Sequence, residues 1–226
     1  MSSAEFEALM LSLKVSGVAV LWTLPVALGL AWLLSRGRFK GRMALDILVH
    51  LPLVLPPVVV GYLLLISLGQ SSPLGRGLHE WFGVRFVFSW TGAALAAGIV
   101  SLPFQVRAIR LALDAVDSRV EEMASTLGAS PLDVFRSVTM PLIRPGIVAG
   151  MITAFAASLG EFGAIITFVS NVPGETRPLP LAIYSALQSP GGETLAARLS
   201  LMAITLAVLG LAMSEWVTRR LRRWSQ

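Results

Sequence analysis

Long apolar runs separated by short polar segments dominate the hydrophobic pattern of the 226-residue chain. A helix needs about 20 apolar residues to cross the hydrocarbon core of a bilayer, because it rises only about 1.5 Å per residue. Five runs meet this requirement, at residues 9–35, 47–68, 90–111, 146–170 and 195–217. They predict an all-α fold, a polytopic transmembrane helix bundle that occupies residues 7–217 and is followed by a short tail at 218–226.

Three prolines interrupt the second apolar run, at Pro52, Pro56 and Pro57. Each proline removes a backbone donor and strains the helix, so we expect this crossing to be bent. Broken helices often line translocation sites in transporters, but membrane helices also carry proline for packing, and both interpretations stay open. Gly146 and Gly150, at the start of the fourth run, form a small-xxx-small pair that favours the close approach of another helix.

Lysine and arginine are concentrated in alternate loops, which orients the bundle because basic loops stay in the cytoplasm. Five crossings then place the N-terminus outside, the C-terminus inside and the long central loop in the cytoplasm. The arginines of the tail are expected to contact anionic membrane lipid. The basic residues on the predicted cytoplasmic side are Arg36, Arg38, Lys40, Arg42, Arg107, Arg110, Arg119, Arg136, Arg144, Arg219, Arg220, Arg222 and Arg223.

Composition narrows the classes of function. Hydrophobic residues make up 55% of the chain and charged residues only 14%, which is more apolar than soluble domains usually are. The net charge of +5 does not indicate a nucleic-acid binder, because the basic residues are divided among loops and not gathered on one face. The chain has no cysteine, and His50 and His79 stand outside any acidic cluster, so we predict neither a metal site nor a catalytic site.

The cytoplasmic loop at 118–141 carries the start and stop signals of a helix that is too polar to cross the membrane. This helix is expected to begin at Ser118, and Glu121 three residues later completes a capping-box pattern. Gly128 follows the last helical position and predicts the C-terminal stop of this helix.

A second helix signal follows directly. Ser130 is the expected start, with Pro131 in the first turn and Asp133 in the box position, and the helix is predicted to halt before Pro141. An apolar side on a helix outside the bilayer implies contact with a partner or with the membrane domain of the chain itself. That apolar side consists of Leu132, Val134, Phe135 and Val138.

Residues 122–141 also follow one spaced pattern. Glu-Met-Ala at 122–124 is followed after three residues by Gly128, and after nine more by Val-Thr-Met-Pro at 138–141. This pattern resembles the EAA loop of binding-protein-dependent ABC importer permeases, Glu-Ala-Ala, three residues, Gly, nine residues and Ile-x-Leu-Pro, with three conservative departures. The resemblance implies a coupling helix that docks into a cleft of an ATPase subunit. The alternative is a capped helical loop with no function of its own.

The ATPase implied by this resemblance is expected on a separate chain. A phosphate-binding Walker loop needs a Gly-Lys pair, and the lysines here, Lys14 and Lys40, follow Leu13 and Phe39. ATP and Mg are therefore expected on the partner ATPase, and no cofactor is expected on this chain. The candidate ATPase-coupling residues are Glu121, Glu122, Ala124, Gly128, Ala129, Leu132, Phe135 and Pro141.

Three further segments narrow the resemblance to molybdate permeases. Leu-Pro-Leu-Val-Leu-Pro-Pro-Val-Val-Val-Gly-Tyr at 51–62 is similar to their second helix. Gly-Glu-Phe-Gly-Ala at 160–164 and Phe-Val-Ser-Asn-Val-Pro-Gly-Glu-Thr-Arg at 168–177 are similar to their fourth helix and the outer loop after it. Sulfate permeases share the Gly-Glu-aromatic-Gly element but diverge in the Pro-Gly-Glu-Thr stretch. The resemblance implies molybdate as the solute, with tungstate as a near equivalent and sulfate as the alternative.

Glu161 is expected midway along the fourth crossing, where an ionisable group costs roughly 2.5 to 3.5 kcal/mol and indicates function. It is not a simple ligand for a dianion, because like charges repel strongly at low dielectric. It either pairs with a cation such as Arg107 or Arg110, or is protonated and hydrogen-bonded, or lines a watery gate. Neutral donors for a weakly bound anion are Ser158, Thr167, Ser170 and Asn171. The alternative is that such side chains only pack in the bundle and bond their own backbone, without a role in transport.

The family resemblance also implies the assembly. Five helices are few to enclose an oxyanion path, so a second copy of the chain is expected across a central pathway in the bacterial cytoplasmic membrane. Each copy would dock one ATPase, and the pair would receive a periplasmic molybdate-binding protein and work by alternating access. A secondary transporter or channel would explain the helices and Glu161 equally well, but not the spaced pattern at 122–141.

Overall fold

A computed structural model describes residues 2–222, and all the regular structure in that range is helical. The predicted all-α fold is confirmed. Part of the tail predicted at 218–226, from residue 223 onward, lies outside the described residues. The helices are α1 (Ser3–Arg36), α2 (Arg42–Val54), α3 (Pro57–Leu68), α4 (Pro73–Phe82), α5 (Trp90–Asp114), α6 (Ser118–Thr126), α7 (Pro131–Val134), a π-helical stretch (Phe135–Thr139), α8 (Met140–Leu159), α9 (Gly163–Val169), α10 (Leu179–Leu187) and α11 (Glu193–Arg222).

The long helices account for the predicted crossings. In the described part of the chain, α1, α5, the continuous run Pro131–Leu159 and the segment Glu193–Gly210 are each long and apolar enough to span a membrane. Helices α2 and α3 pass the same test only as a pair, bent by 114° at the break between them. The bend predicted from the prolines of the second run is confirmed, and counting the pair as one span gives five crossings.

The fourth crossing differs from the prediction. A single helix over residues 146–170 is wrong, because α8 ends at Leu159 and α9 begins at Gly163. Gly160 is a poor helix former, and the Glu161 side chain bonds a backbone N–H that helix formation would otherwise use. Glu161 therefore lies in a break between two helices and not midway along one.

The second loop helix also runs further than expected. We predicted that it halts before Pro141, but α7 continues through the π-helical stretch into α8. The N–H of Met140 bonds the carbonyl of Phe135, five residues back, so the chain is widened immediately before the proline. This register avoids the clash that a proline ring makes with the carbonyl four residues earlier in an α-helix.

The core runs along the contact between α1 and α5. Small residues let the two helices approach closely, and both helices extend through two buried clusters, one beside α9 and one beside α8. Between the clusters, the Nε2 atom of Gln105 donates to the Val20 carbonyl at 3.2 Å and to Thr23 Oγ1 at 3.1 Å. These bonds satisfy the buried amide nitrogen of Gln105, which lipid could not, while its Oε1 has no partner among the described residues.

The two broken spans pack against each other. A Cβ atom placed on Gly61 of α3 would lie 2.6 Å from the carbonyl oxygen of Ala164 in α9. A Cβ atom on Gly163 would lie 3.0 Å from the Cβ of Pro57. Glycine is therefore required at Gly61 for this close crossing, and the two helix breaks lie side by side.

The ends of the bundle are distinct. At one end, the guanidinium of Arg36 in α1 donates to the carbonyl of Leu113 in α5 at 3.4 Å and pairs with Glu121 of α6. At the other end, Ser12 of α1 accepts a hydrogen bond from the Leu179 N–H at 2.7 Å. The end of α1 therefore meets the central loop, as expected if both face the cytoplasm.

The close crossing predicts opposite effects at two glycines. Gly61→Ala should destabilise the protein by about 1 to 3 kcal/mol, because the new methyl group meets a backbone carbonyl that cannot rotate away. Gly29→Ala should be neutral or stabilising by up to about 1 kcal/mol, because nothing lies within 4 Å of that position in α1. Thermal unfolding of the detergent-purified protein measures both, and equal stability of the two variants would contradict the packing.

Candidate coupling loop and translocation site

Helix α6 begins with a cap different from the one expected. The N-cap is Asp117, whose carboxylate accepts a hydrogen bond from the Arg119 N–H at 3.0 Å, and not Ser118. The capping box predicted between Ser118 and Glu121 is therefore wrong. Aspartate caps a helix as well as serine does, and its negative charge suits the helix N-terminus. Glu121 is left free for other partners.

Helix α6 ends at the predicted glycine. Gly128 has a φ of 91° and lies directly after the C-cap. Its N–H bonds the carbonyl of Ser125 at 3.0 Å, and the N–H of Ala129 bonds the carbonyl of Ala124 at 3.2 Å. This pair of bonds is a Schellman motif, so the stop predicted at Gly128 is confirmed.

The start of α7 also agrees with the sequence. Ser130 Oγ accepts the Asp133 N–H at 3.3 Å, and the Asp133 carboxylate accepts the Ser130 N–H at 3.2 Å. Pro131 occupies the first turn, where its missing N–H costs nothing. The capping box predicted at Ser130 is confirmed, and α6 and α7 form a rigid, sharply turned pair.

The side chains of this pair divide between two directions. Val134 is buried, and the ring of Phe135 meets the ring of Trp32 edge to face, with centroids 5.1 Å apart. Ala124, Ala129 and Pro141 are half-buried. The predicted apolar side is thus split, since Leu132 points outward. We call the outward set the docking face, and its members are Glu122, Met123, Leu127 and Leu132.

Glu161 acts as a helix cap in the break before α9. Its side chain is 6% exposed, and its Oε1 accepts the Ala164 N–H at 2.7 Å. Among the side chains that the structure describes, no lysine, arginine or histidine nitrogen lies within 4.0 Å of this carboxylate, and Arg110 pairs with Asp46 at 3.0 Å. Glu161 is therefore hydrogen-bonded to backbone and sits where the two broken spans meet.

Two of the predicted pathway hydroxyls bond to other protein groups, Ser158 in a buried position and Thr167 in a half-buried one. Ser158 is 3% exposed, and its Oγ donates to Ser101 Oγ at 3.1 Å across the contact of α5 and α8. Thr167 donates to the carbonyl of Gly163 at 2.8 Å, within its own helix. In this conformation both side chains are satisfied by protein, which is the packing alternative left open by the sequence.

The other two predicted donors lie in the loop after α9. Ser170 is exposed and has a φ of 66°, an unusual conformation for a residue with a side chain. Asn171 donates from Nδ2 to Ser185 Oγ at 2.7 Å and accepts from Arg177 Nε at 2.7 Å. The structure thus keeps Ser170 and Asn171 near the end of α9 and brings Arg177 beside them.

Comparison with known protein families gives a match that covers most of the chain. The family described as "Binding-protein-dependent transport system inner membrane component" matches residues 23–223. The chain belongs to this family. It is a multi-pass membrane transport subunit, and the resemblance inferred from the loop at 122–141 is confirmed.

Individual relatives of this permease cover nearly its whole length. It is 56% identical over 219 residues to the molybdenum transport system permease protein ModB of Escherichia coli, covering 97% of this chain and 96% of that protein. The ModB protein of Haemophilus influenzae is 51% identical with the same coverage. A crystal structure of a bacterial alginate ABC transporter, bound to a periplasmic protein carrying an alginate pentasaccharide, matches the fold with a TM-score of 0.76 and 21% identity. That match covers 97% of this chain and 80% of the other.

Some residues of this permease site were not singled out from the sequence. Arg36 was read only as a topology signal and Thr139 only as part of the motif, yet both bond Glu121, at 3.1 Å and 2.6 Å. Trp32 lies one helical turn before Arg36 and contacts the π-helical stretch. The spacing of four between Trp32 and Arg36, at the cytoplasmic end of a crossing, was the available signal.

The left-handed turn at Gly128 predicts a graded response to substitution. Gly128→Ala should destabilise the turn by about 1 to 2 kcal/mol, because a Cβ atom is disfavoured at positive φ although the space around it is open. Gly128→Asn should behave more like the wild type, since asparagine tolerates this conformation. Limited trypsin digestion at Arg119 and Arg136 reports the loosening, and equal cleavage of both variants would count against the turn.

Proposed function

We propose that this chain is the permease of an ATP-driven importer that carries molybdate, with tungstate as a near equivalent, across the bacterial cytoplasmic membrane. The observation that carries the proposal is the capped α6–α7 pair, which presents an exposed apolar docking face at one end of a membrane bundle. The high identity to ModB proteins along the whole chain supports molybdate as the solute. Sulfate is the alternative oxyanion.

A separate ATPase is the partner that suits the docking face. Leu127 is 89% exposed, Met123 58% and Leu132 57%, in a region that the membrane does not cover. Apolar side chains exposed to water in this way are expected to be covered by another protein. Glu122 adds one exposed carboxylate for a basic group of that partner. ATP and Mg are proposed to bind the ATPase, whose movement would be passed through α6 and α7.

A second copy of the chain and a periplasmic binding protein complete the proposed assembly. The five spans pack as one layered bundle around α1 and α5, whose contact is filled by side chains. A path for a hydrated dianion is therefore expected between two copies and not within one. The alginate transporter of similar fold is bound to a periplasmic protein, which supports a binding-protein partner on the outer side here.

The paired helix breaks are the part of the bundle best suited to move during transport. Non-helical backbone inside a membrane is tolerated where it is buried in protein or lines a cavity, and it often marks the solute path of transporters. Here the break before α3 and the break before α9 lie in contact, and Glu161 lies in the second of them. We propose that the breaks change their mutual packing as the permease alternates between outward-facing and inward-facing states.

Uptake measurements test the solute. A strain that lacks this chain and its partner subunits, and is complemented with all of them, should accumulate labelled molybdate in an ATP-dependent manner. Excess tungstate should compete well and excess sulfate poorly. The ground for this expectation is the similarity to ModB proteins over 97% of this chain. A strong preference for sulfate would move the assignment to the alternative anion, and uptake without ATP would favour a secondary transporter.

Glu161 provides a test of the breaks. Glu161→Gln keeps an acceptor for the Ala164 N–H but cannot ionise, so the cap should survive while transport falls by about tenfold, equivalent to about 1.4 kcal/mol in barrier height. Assembly with the ATPase should stay intact. Glu193→Gln, an exposed carboxylate at the start of α11, is the matched control. Wild-type uptake by Glu161→Gln would remove ionisation of Glu161 from the mechanism.

A further inference from the structure

Two contacts fasten the central loop to the last two turns of α1. The Glu121 carboxylate pairs through Oε2 with the Arg36 guanidinium at 3.1 Å and accepts through Oε1 from the Thr139 hydroxyl at 2.6 Å. One turn earlier on α1, the ring of Trp32 meets the ring of Phe135. A single face of α1 therefore touches both α6 and the π-helical stretch.

These contacts are shielded, unlike the docking face. The Glu121 side chain is 19% exposed, Arg36 is 30% exposed and Thr139 is 1% exposed. The next residue, Glu122, is exposed, because one step along a helix turns the side chain by about 100°. Glu121 thus lies on the side of α6 that faces the bundle. Its role differs from that of the docking face, although sequence analysis grouped it with those residues.

We propose that Arg36, Glu121 and Thr139 form a joint through which movement of the coupling loop is transmitted to α1, in addition to its covalent continuation into α8. This inference rests on the proposed function, because it assumes an ATPase that moves the loop. The loop is covalently tied to α5 before α6 and to α8 after the π-helical stretch, but it reaches α1 only through side chains. The joint therefore adds a direct link between the loop and the end of α1, beside the packing of α1 on α5.

The geometry assigns each residue a separate part. Glu121 is the central group, because its two oxygens bond different elements. Arg36 holds the end of α1 and also donates to the Leu113 carbonyl at 3.4 Å, so the joint includes the end of α5. Thr139 is the last residue of the π-helical stretch, and its hydroxyl holds that widened turn against α6. These are positioning residues, and none is proposed to touch the solute.

The experiment measures solute transported per ATP hydrolysed, in proteoliposomes containing the permease, its ATPase and its binding protein. Thr139→Val removes the hydroxyl and keeps the shape of the side chain, and Glu121→Gln removes the ion pair with Arg36. Both should retain assembly and ATP hydrolysis but transport roughly fivefold less molybdate per ATP, the lower end of the usual range for coupling between sites. Thr139→Ser keeps the hydroxyl and is the matched control, which should stay near the wild-type ratio.

The amount of molybdate transported per ATP hydrolysed distinguishes a joint from a contact that only stabilises the fold. A contact that only stabilises the fold would lower the amount of assembled complex and leave the transport per ATP unchanged. That result, or loss of ATPase binding by Thr139→Val, would overturn the proposal. Arg36→Met keeps the apolar stem of the side chain. The double variant with Glu121→Gln should transport about as much molybdate per ATP as Glu121→Gln alone. Fully additive losses in that double variant would also count against a shared joint.

The wild-type protein distinguishes this inference from the proposed function. If wild-type proteoliposomes take up sulfate and not molybdate on addition of ATP, the molybdate assignment fails, and the joint is judged by the sulfate transported per ATP hydrolysed. If the wild type transports normally and the variants keep its ratio, the joint fails while the function stands.

Discussion

The interior of a bilayer has no water to bond a free backbone N–H, so each break in a membrane-spanning helix must satisfy its donors within the protein. The described residues 2–222 contain two such breaks, and the two satisfy their donors differently. Before α3, Pro56 and Pro57 carry no N–H, so few donors are released. Before α9, the Glu161 carboxylate accepts the N–H of Ala164. The two breaks then pack together, and protein instead of lipid covers part of each.

This difference explains why one break could be predicted from sequence and the other could not. A proline acts through its own ring, so Pro56 and Pro57 mark their break in any context. Gly160 alone lowers helix propensity by only about 1 kcal/mol, which tertiary packing easily overrides. The second break depends on Glu161 bonding the backbone and on α9 packing against Gly61. Both effects need the folded neighbours, so the apolar pattern alone favoured one unbroken helix.

The coupling loop also shows that local sequence patterns predict helix ends but not contacts between distant residues. Caps at Gly128 and Ser130 are set by residues three to five positions apart, and these were predicted correctly. The partners of Glu121 lie 85 positions earlier, at Arg36, and 18 positions later, at Thr139. Its spacing from Ser118 suggested a capping box, but the ion pair draws the carboxylate toward α1 and Asp117 takes the capping role. Local patterns therefore located the helices, while contacts between residues distant in sequence determined which way side chains such as Glu121 point.

Helix α1 connects the joint at one end of the bundle with contacts at the opposite end. At 34 residues, α1 is about 51 Å long at the usual rise per residue, enough to cross the bilayer and extend beyond it. One end holds the coupling loop through Arg36. The opposite end holds α10 through the bond of Ser12 with the Leu179 N–H and α11 through the pair of Glu5 with Arg198 at 2.9 Å. Between these ends α1 is packed on α5 with buried small residues, which leaves little room for it to bend independently. A displacement of the loop that reaches α1 is therefore expected to pass along this helix to its opposite end, where α10 and α11 are held.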